Sequence, residues 1–144
     1  MRQARIRLLS MVAVVALGVG AAACGGGGGI SVTASDFKLE LGTSSAAAGE
    51  VTFKVENNGP SVHEFVVFKT DLAPDALPTK DDENGIEIVD EEGQGIEAID
   101  EIEDIAVDST QELKVTLTAG KYVLICNLPA HYKQGMHTAF TVTG

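Results

Sequence analysis

Three side chains able to hold a soft cation fall within eleven residues: Cys126, His131 and Met136, in the run CNLPAHYKQGM. The spacing is Cys-x4-His-x4-Met. An apolar run, Tyr122–Ile125, leads into the cysteine and reads as a buried strand. Thr138–Thr143 alternates apolar and polar residues after the methionine and reads as another. Pro129 and Gly135 supply the turning that lets one short loop bring a thiolate, an imidazole and a thioether around a point.

The loop lacks a second imidazole, and His63 can provide it. It opens the apolar run HEFVVF. In a strand, His63, Phe65 and Val67 share one face and Glu64, Val66 and Phe68 the other, which places the His63 ring at the inner end of a sheet. Taken singly, each residue has a plainer reading. A cysteine in a strand is a small hydrophobe, a methionine is core filler, and a histidine is a capped core group. The four together, in the order His, Cys, His, Met, point instead to copper. Two imidazoles and a thiolate in a plane, with a weak axial thioether, form the blue-copper electron-transfer site. His137 follows Met136 directly and is expected to point to the opposite face.

Cys126–Met136 resembles the C-terminal ligand loop of the cupredoxins, the small blue copper proteins of the rusticyanin, sulfocyanin and plastocyanin type, with spacings most like rusticyanin and sulfocyanin and a longer Cys-to-His gap than plastocyanin. Ala48–Val67, AGEVTFKVENNGPSVHEFVV, is similar to that family's strand–turn–strand carrying the first histidine. The resemblance implies a Greek-key antiparallel β-sandwich of seven or eight strands and one type 1 copper ion. It implies metal ligands His63, Cys126, His131 and Met136. It further implies that the Glu64 amide donates to the Cys126 sulfur, that Asn127 ties the two ligand segments together, and that Leu128, Pro129 and Ala130 surround an exposed His131 where electrons leave.

The N-terminus reads as an export signal. Arg2, Arg5 and Arg7 precede an apolar run, Leu8–Val19, too short to span a bilayer comfortably. Ala21, Ala22 and Ala23 then lead to Cys24. Residues 1–23 are expected to be a lipoprotein-type signal peptide, with Cys24 the lipidated first residue; the alternative is a plain signal with an incidental thiol. Residues 24–29 form the anchor and a glycine tether of short reach. The expected location is the outer face of the cytoplasmic membrane or the periplasm.

Residues 30–144 are expected to form a single domain. Val32, Ala34, Phe37, Leu39 and Leu41 suggest strand with a bulge near Ser35–Asp36. Gly42–Gly49 reads as a loop, Val51–Val55 as a strand, and Asn57–Pro60 as a turn. Leu113, Val115 and Leu117 mark one more strand. Short strands with turn chemistry between them argue for an all-β sandwich.

The segment from about 70 to 108 is different in kind. Between Asp71 and Asp108 there are fifteen acids and one base, Lys80, a net of −14. The whole chain has 21 acids and 10 bases, of which three arginines lie in the leader. The remainder is also −14, because 21 minus 7 is 14. The charge is therefore local. Ile96, Ile99, Ile102 and Ile105 recur every third residue and suggest a short amphipathic helix within this acidic insertion. The acids could steer a basic redox partner, such as a cytochrome or a membrane oxidoreductase, could bind calcium, or could simply be a solvated face.

Three histidines are too few for an enzyme that needs further copper ligands, so no enzymatic activity is expected. Three methionines, one of them Met1, argue against the alternative function, copper delivery or homeostasis. The chain is expected to act as a monomer and, being acidic, without a nucleic-acid partner.

Overall fold

The computed structural model describes residues 28–144. The expected signal peptide, Cys24 and the expected tether as far as residue 27 lie outside the described residues.

Eleven strands follow in chain order: β1 Ile30–Ser35, β2 Lys38–Leu41, β3 Ser45–Ala47, β4 Gly49–Asn57, β5 His63–Thr70, β6 Thr79–Asp81, β7 Glu87–Val89, β8 Ile96–Ile105, β9 Thr110–Leu117, β10 Gly120–Ile125 and β11 His137–Thr143. Three of them, β3, β6 and β7, have only three residues each, and nine of the eleven lie in the two packed sheets. One sheet has the order β2-β1-β4-β9 and the other β3-β11-β10-β5-β8, while β6 and β7 pair alone. Most pairings are antiparallel, but β1 with β4 and β3 with β11 are parallel. The fold is thus a mixed rather than a purely antiparallel sandwich.

Alternation decides which side chains meet between the sheets. Val51, Phe53 and Val55 of β4 face Phe65 and Val67 of β5, Leu124 of β10 and Phe140 of β11 in one buried core. Phe53 packs against Phe65 and Phe140 with ring centroids 5.3 Å apart in each pair, which ties one sheet to the other. Each such pair contributes about 0.5–1.5 kcal/mol beyond its buried area.

β5 and β10 are apolar on both faces, and the reason lies in the insertion. Val66, Phe68, Val123 and Ile125 point away from the main core and form a second one with Leu77, Val89 and Tyr132. The β6–β7 hairpin therefore roofs the outer face of the five-stranded sheet. The acidic stretch is a structural cover as well as a charged surface.

Two local expectations are corrected. The expected bulge near Ser35–Asp36 is instead a two-residue hairpin turn, Asp36–Phe37, because β1 and β2 pair antiparallel from Val32↔Leu41 to Ser35↔Lys38. Phe37 accommodates the reversal at φ 54°. The isoleucine triplet repeat is not a helix but β8, an edge strand on β5. Its register slips between His63 and Phe65 and again between Val67 and Phe68. At each slip β8 carries one extra residue, and a bulge of this kind shifts the inward face by one. Two bulges convert a period of two into a spacing of three. Ile99, Ile102 and Ile105 all reach the main core, while Ile96 joins the outer one. Bulges and charges also blunt an exposed sheet edge against pairing with another chain.

Candidate metal centre

β5 begins at one end of the sandwich with His63, and β10 ends there with Ile125 leading into Cys126. The register Ile125↔Val66 sets these neighbouring strands side by side. The loop after Cys126 then turns back on itself. Gln134 N–H donates to Ala130 C=O and Met136 N–H to His131 C=O, both at 3.1 Å. Ala130 at φ 67° and Gly135 at φ 107° make the two reversals. Cys126 N–H donates to Met136 C=O at 3.0 Å, which continues the β10–β11 ladder across the base of the loop.

This geometry brings together His63, Cys126 and His131. Their candidate ligand atoms all lie within 4.8 Å of one another. Cys126 Sγ stands 3.4 Å from His131 Nδ1 and 3.9 Å from His63 Nδ1. Among the described residues, this is the one convergent group of three His, Cys, Asp or Glu side chains. The carboxylates of the acidic insertion do not converge in this way. Met136 is fully buried in the main core, which Cys126 also joins. His137 lies on the outer side instead, its ring 5.2 Å from that of Tyr132.

Burial sets the protonation of the group. It pulls both His63 and His131 below the usual imidazole range. The neighbouring His131 lowers His63 further, and Asp36 partly opposes the shift in each. Burial pushes the Cys126 thiol up to about 11, against the Glu64 and Leu128 backbone amides that favour the thiolate. Both imidazoles therefore stand neutral, the form in which a ring nitrogen has a free lone pair.

The groups around the donors are partly those expected. Glu64 N–H donates to Cys126 Sγ at 3.3 Å. The Glu64 side chain points the other way, and burial together with Glu101, Glu103, Glu91 and Asp104 pushes its carboxyl to about 7. Asn127 has a different role from the one expected. Its Oδ1 accepts from Val89 N–H at 2.7 Å, and its Nδ2 donates to Val89 C=O and to Glu91. It ties the loop to β7 of the insertion, not to the segment before His63. The reason is the alternation of the strand: Cys126 faces inward, so its neighbour faces the outer roof. Asn57 holds the turn before His63, donating to Ser61 C=O and Ile105 C=O at 2.8 Å each.

Three residues at this end were not read as site residues from the sequence. Asp36 Oδ1 lies 3.3 Å from His63 Nε2. Phe37 packs edge-on against His131, centroids 5.3 Å apart at 86°. Tyr132 OH accepts from Leu77 N–H and donates to Pro74 C=O, both at 2.9 Å. A hairpin turn between Ala34 and Leu39 was the signal for the first two, and it was masked by the bulge reading. Of the expected apolar patch, Leu128 and Ala130 are half-buried and Pro129 is exposed beside a half-buried His131.

A two-sheet sandwich with a His–Cys–His cluster at one end has the architecture of the cupredoxins, and the fold of this chain is cupredoxin-like. Solved structures bear the fold out. A dithionite-reduced auracyanin from the photosynthetic bacterium Roseiflexus castenholzii superposes with a TM-score of 0.53 at 16% identity, covering 79% of this chain and 95% of its own. Auracyanin B gives 0.53 at 20% identity over 79% and 87%. Rusticyanin from Thiobacillus ferrooxidans gives 0.55 at 17% identity over 78% and 76%. No family model matches the sequence, and no curated protein matches it. At such identities the likeness is one of fold.

Proposed function

We propose that this protein is a one-electron carrier built on a type 1 copper site, which Cys126, His63, His131 and, more weakly, Met136 would hold. The observation that carries the reading is the convergence of Sγ and two Nδ1 atoms. Donors about 2.0 and 2.3 Å from a shared ion, 120° apart, stand roughly 3.7 Å from each other. The separations here, 3.4 and 3.9 Å, straddle that value before any ion is considered. The donor set fits copper, which takes thiolate, imidazole and thioether together. The solved structures add support: rusticyanin is described as a copper protein, and reduced forms of both it and auracyanin have been captured.

Copper, when bound, supplies a one-electron couple between Cu(I) and Cu(II). The protein does the rest. Neutral His63 and His131 offer lone pairs without first losing a proton. Cys126 gives up its Sγ proton when the cation arrives, and the Glu64 amide then steadies the sulfur charge. Packed walls keep the donors in place in either charge state, which keeps reorganisation small. His131 is the half-exposed member of the set, and the edge of its ring is the short route for an electron to the surface.

The same reading places the carrier outside the cytoplasmic membrane, anchored by a lipid on Cys24, on the strength of the N-terminal pattern. It is not an enzyme in this reading, since His63 and His131 are taken as ligands of one ion and His137 packs on Tyr132. Its partner is a basic redox protein attracted by the acids of the insertion. That attraction raises the rate of encounter at low salt and fades as ionic strength rises.

Copper addition to the purified protein tests the centre. Expected are an intense blue or green absorption, bleached by ascorbate, and a Cu(II) paramagnetic resonance signal with narrow hyperfine splitting. Cys126→Ser should abolish the colour. Colourless binding would favour copper delivery instead, and no binding would end the metal reading.

A further inference from the structure

The β1–β2 turn reaches both imidazoles from outside the ligand segments. Its second residue, Phe37, touches His131. Its first, Asp36, touches His63, and this contact does more than pack. His63 is fully buried, and its Nε2 has no hydrogen-bond partner of its own. Asp36 Oδ1 is equally shut off from solvent and equally unpartnered. The two atoms stand 3.3 Å apart, just short of a well-formed hydrogen bond.

The rest of Asp36 is tied down. Ser61 Oγ donates to Oδ2 at 2.9 Å, and the Asp36 N–H donates to Gly59 C=O at 3.4 Å. Both partners sit in the loop that leads into His63. The carboxylate therefore has one oxygen fixed and the other aimed at the imidazole. Two buried polar atoms without other partners, facing each other, are costly unless they pair.

Chemistry then assigns the proton. His63 Nδ1 faces Cys126 Sγ, so Nδ1 can be a ligand only when the ring proton is on Nε2. A buried Nε2–H needs an acceptor, and Asp36 Oδ1 is the acceptor within reach. We infer that Asp36 is a positioning residue that holds His63 in the Nε2–H tautomer, with Nδ1 free for the metal, and that its negative charge favours the more oxidised ion. The tautomer half stands on geometry alone; the redox half rests on the copper reading above. An anion near the ion stabilises the higher charge, so removing it raises the reduction potential.

Two variants separate position from charge. Asp36→Asn keeps an oxygen toward Nε2 and an amide toward Ser61 but removes the charge. Asp36→Ala removes both. Nitrogen-15 NMR of the metal-free protein, at a pH where His63 is neutral, reports the tautomer directly. Expected is the Nε2–H form in the parent and in Asp36→Asn, and a mixture with the Nδ1–H form in Asp36→Ala. On copper loading, Asp36→Asn should keep its affinity but show a raised potential. Asp36→Ala should bind Cu(II) about 10- to 100-fold more weakly, the usual cost of losing such a support. A single Nε2–H tautomer in Asp36→Ala, with the sheet intact by circular dichroism, would overturn the positioning role. An unchanged potential in Asp36→Asn would overturn the charge role. A shifted tautomer in a protein that takes up no copper would sustain the pairing and sink the copper reading instead.

Discussion

The His–Cys–His end of the sandwich is held from two sides, and the two supports differ in what they grip. The β1–β2 turn meets the imidazoles themselves: Asp36 at His63 and Phe37 at His131. The β6–β7 part of the insertion is seen bonded elsewhere on the loop. It holds the backbone and the outward residues of the ligand loop. Asn127 bonds to Val89 and Glu91, Tyr132 to Leu77 and Pro74, and Ala130 N–H to Glu87 C=O at 3.1 Å. Lys133 adds an exposed ion pair with Glu87. The difference follows from alternation along one loop. Residues whose neighbours face the donors must themselves face the roof, so one support can tune the site while the other fixes its shape.

Tyr132 should give the largest effect. It is buried in the outer core, and its hydroxyl satisfies two backbone groups of the insertion. Tyr132→Ala is expected to cost about 3–5 kcal/mol, the range for emptying a buried aromatic site. Tyr132→Phe keeps the ring but leaves Leu77 N–H and Pro74 C=O unpaired, at about 1–3 kcal/mol. Urea unfolding of the metal-free protein measures both. The visible spectrum of copper-loaded Tyr132→Phe should match the parent, since the donors are untouched. A Tyr132→Phe protein as stable as the parent would mean that the insertion does not clamp the loop.

Phe37 should matter less for stability. Its ring is about a third exposed, so the edge-on contact with His131 contributes at the lower end of about 0.5–1.5 kcal/mol. Its backbone pulls the other way, because φ 54° costs a residue with a Cβ about 1 kcal/mol. Phe37→Ala loses the contact and keeps the strain; Phe37→Gly loses the contact and relieves it. Phe37→Gly should therefore be the more stable of the two by about 1 kcal/mol in the same urea experiment. In both variants the His131 ring protons should move in the NMR spectrum as the neighbouring aromatic ring disappears. Equal stability of the two would mean that the turn does not depend on the left-handed conformation of residue 37.

The cluster of His63, Cys126 and His131 was legible in the sequence, because the last two lie close together on one loop. Cys126, His131 and Met136 lie on one loop, and His63 opens a strand whose alternation announces its face. The supports were not legible, for three different reasons. The two-residue turn at Asp36–Phe37 lacks the Asn-Gly or Asp-Gly signature of a tight hairpin, so the alternation around it read as one interrupted strand. The isoleucine repeat has a period near that of a helix, and only pairing with β5 reveals that two bulges produce it. The roof was hidden by composition. Two of the side chains that make it, Leu77 and Val89, lie in short segments without a sustained strand-like alternation, and the outer-facing Val66, Phe68, Val123 and Ile125 that need covering are not adjacent to them in sequence.

The inner surface of the insertion contributes stability, whereas an outward acid of β8 without a basic or hydrogen-bonded partner should not. Glu101 on β8 decides the matter on a small scale. Its carboxyl is raised above the usual range, by burial first and then by Glu91, Glu103 and Asp100. The folded protein therefore holds that proton more tightly than the unfolded chain does. Ionisation costs stability as pH rises past the unfolded value, and the cost is complete once the raised folded value is passed. Glu101→Gln should be slightly more stable than the parent at pH 7, by roughly a few tenths of a kcal/mol given how exposed the residue is. The gain should vanish at low pH, where Glu101 carries its proton in both the folded and the unfolded parent, and should shrink in high salt. On the partner reading proposed above, neutralising one acid should also slow encounter with a cationic redox protein slightly, at low ionic strength only. A Glu101→Gln protein less stable at pH 7 would mean that the acids do hold the insertion in place, and the contrast between its two faces would fail.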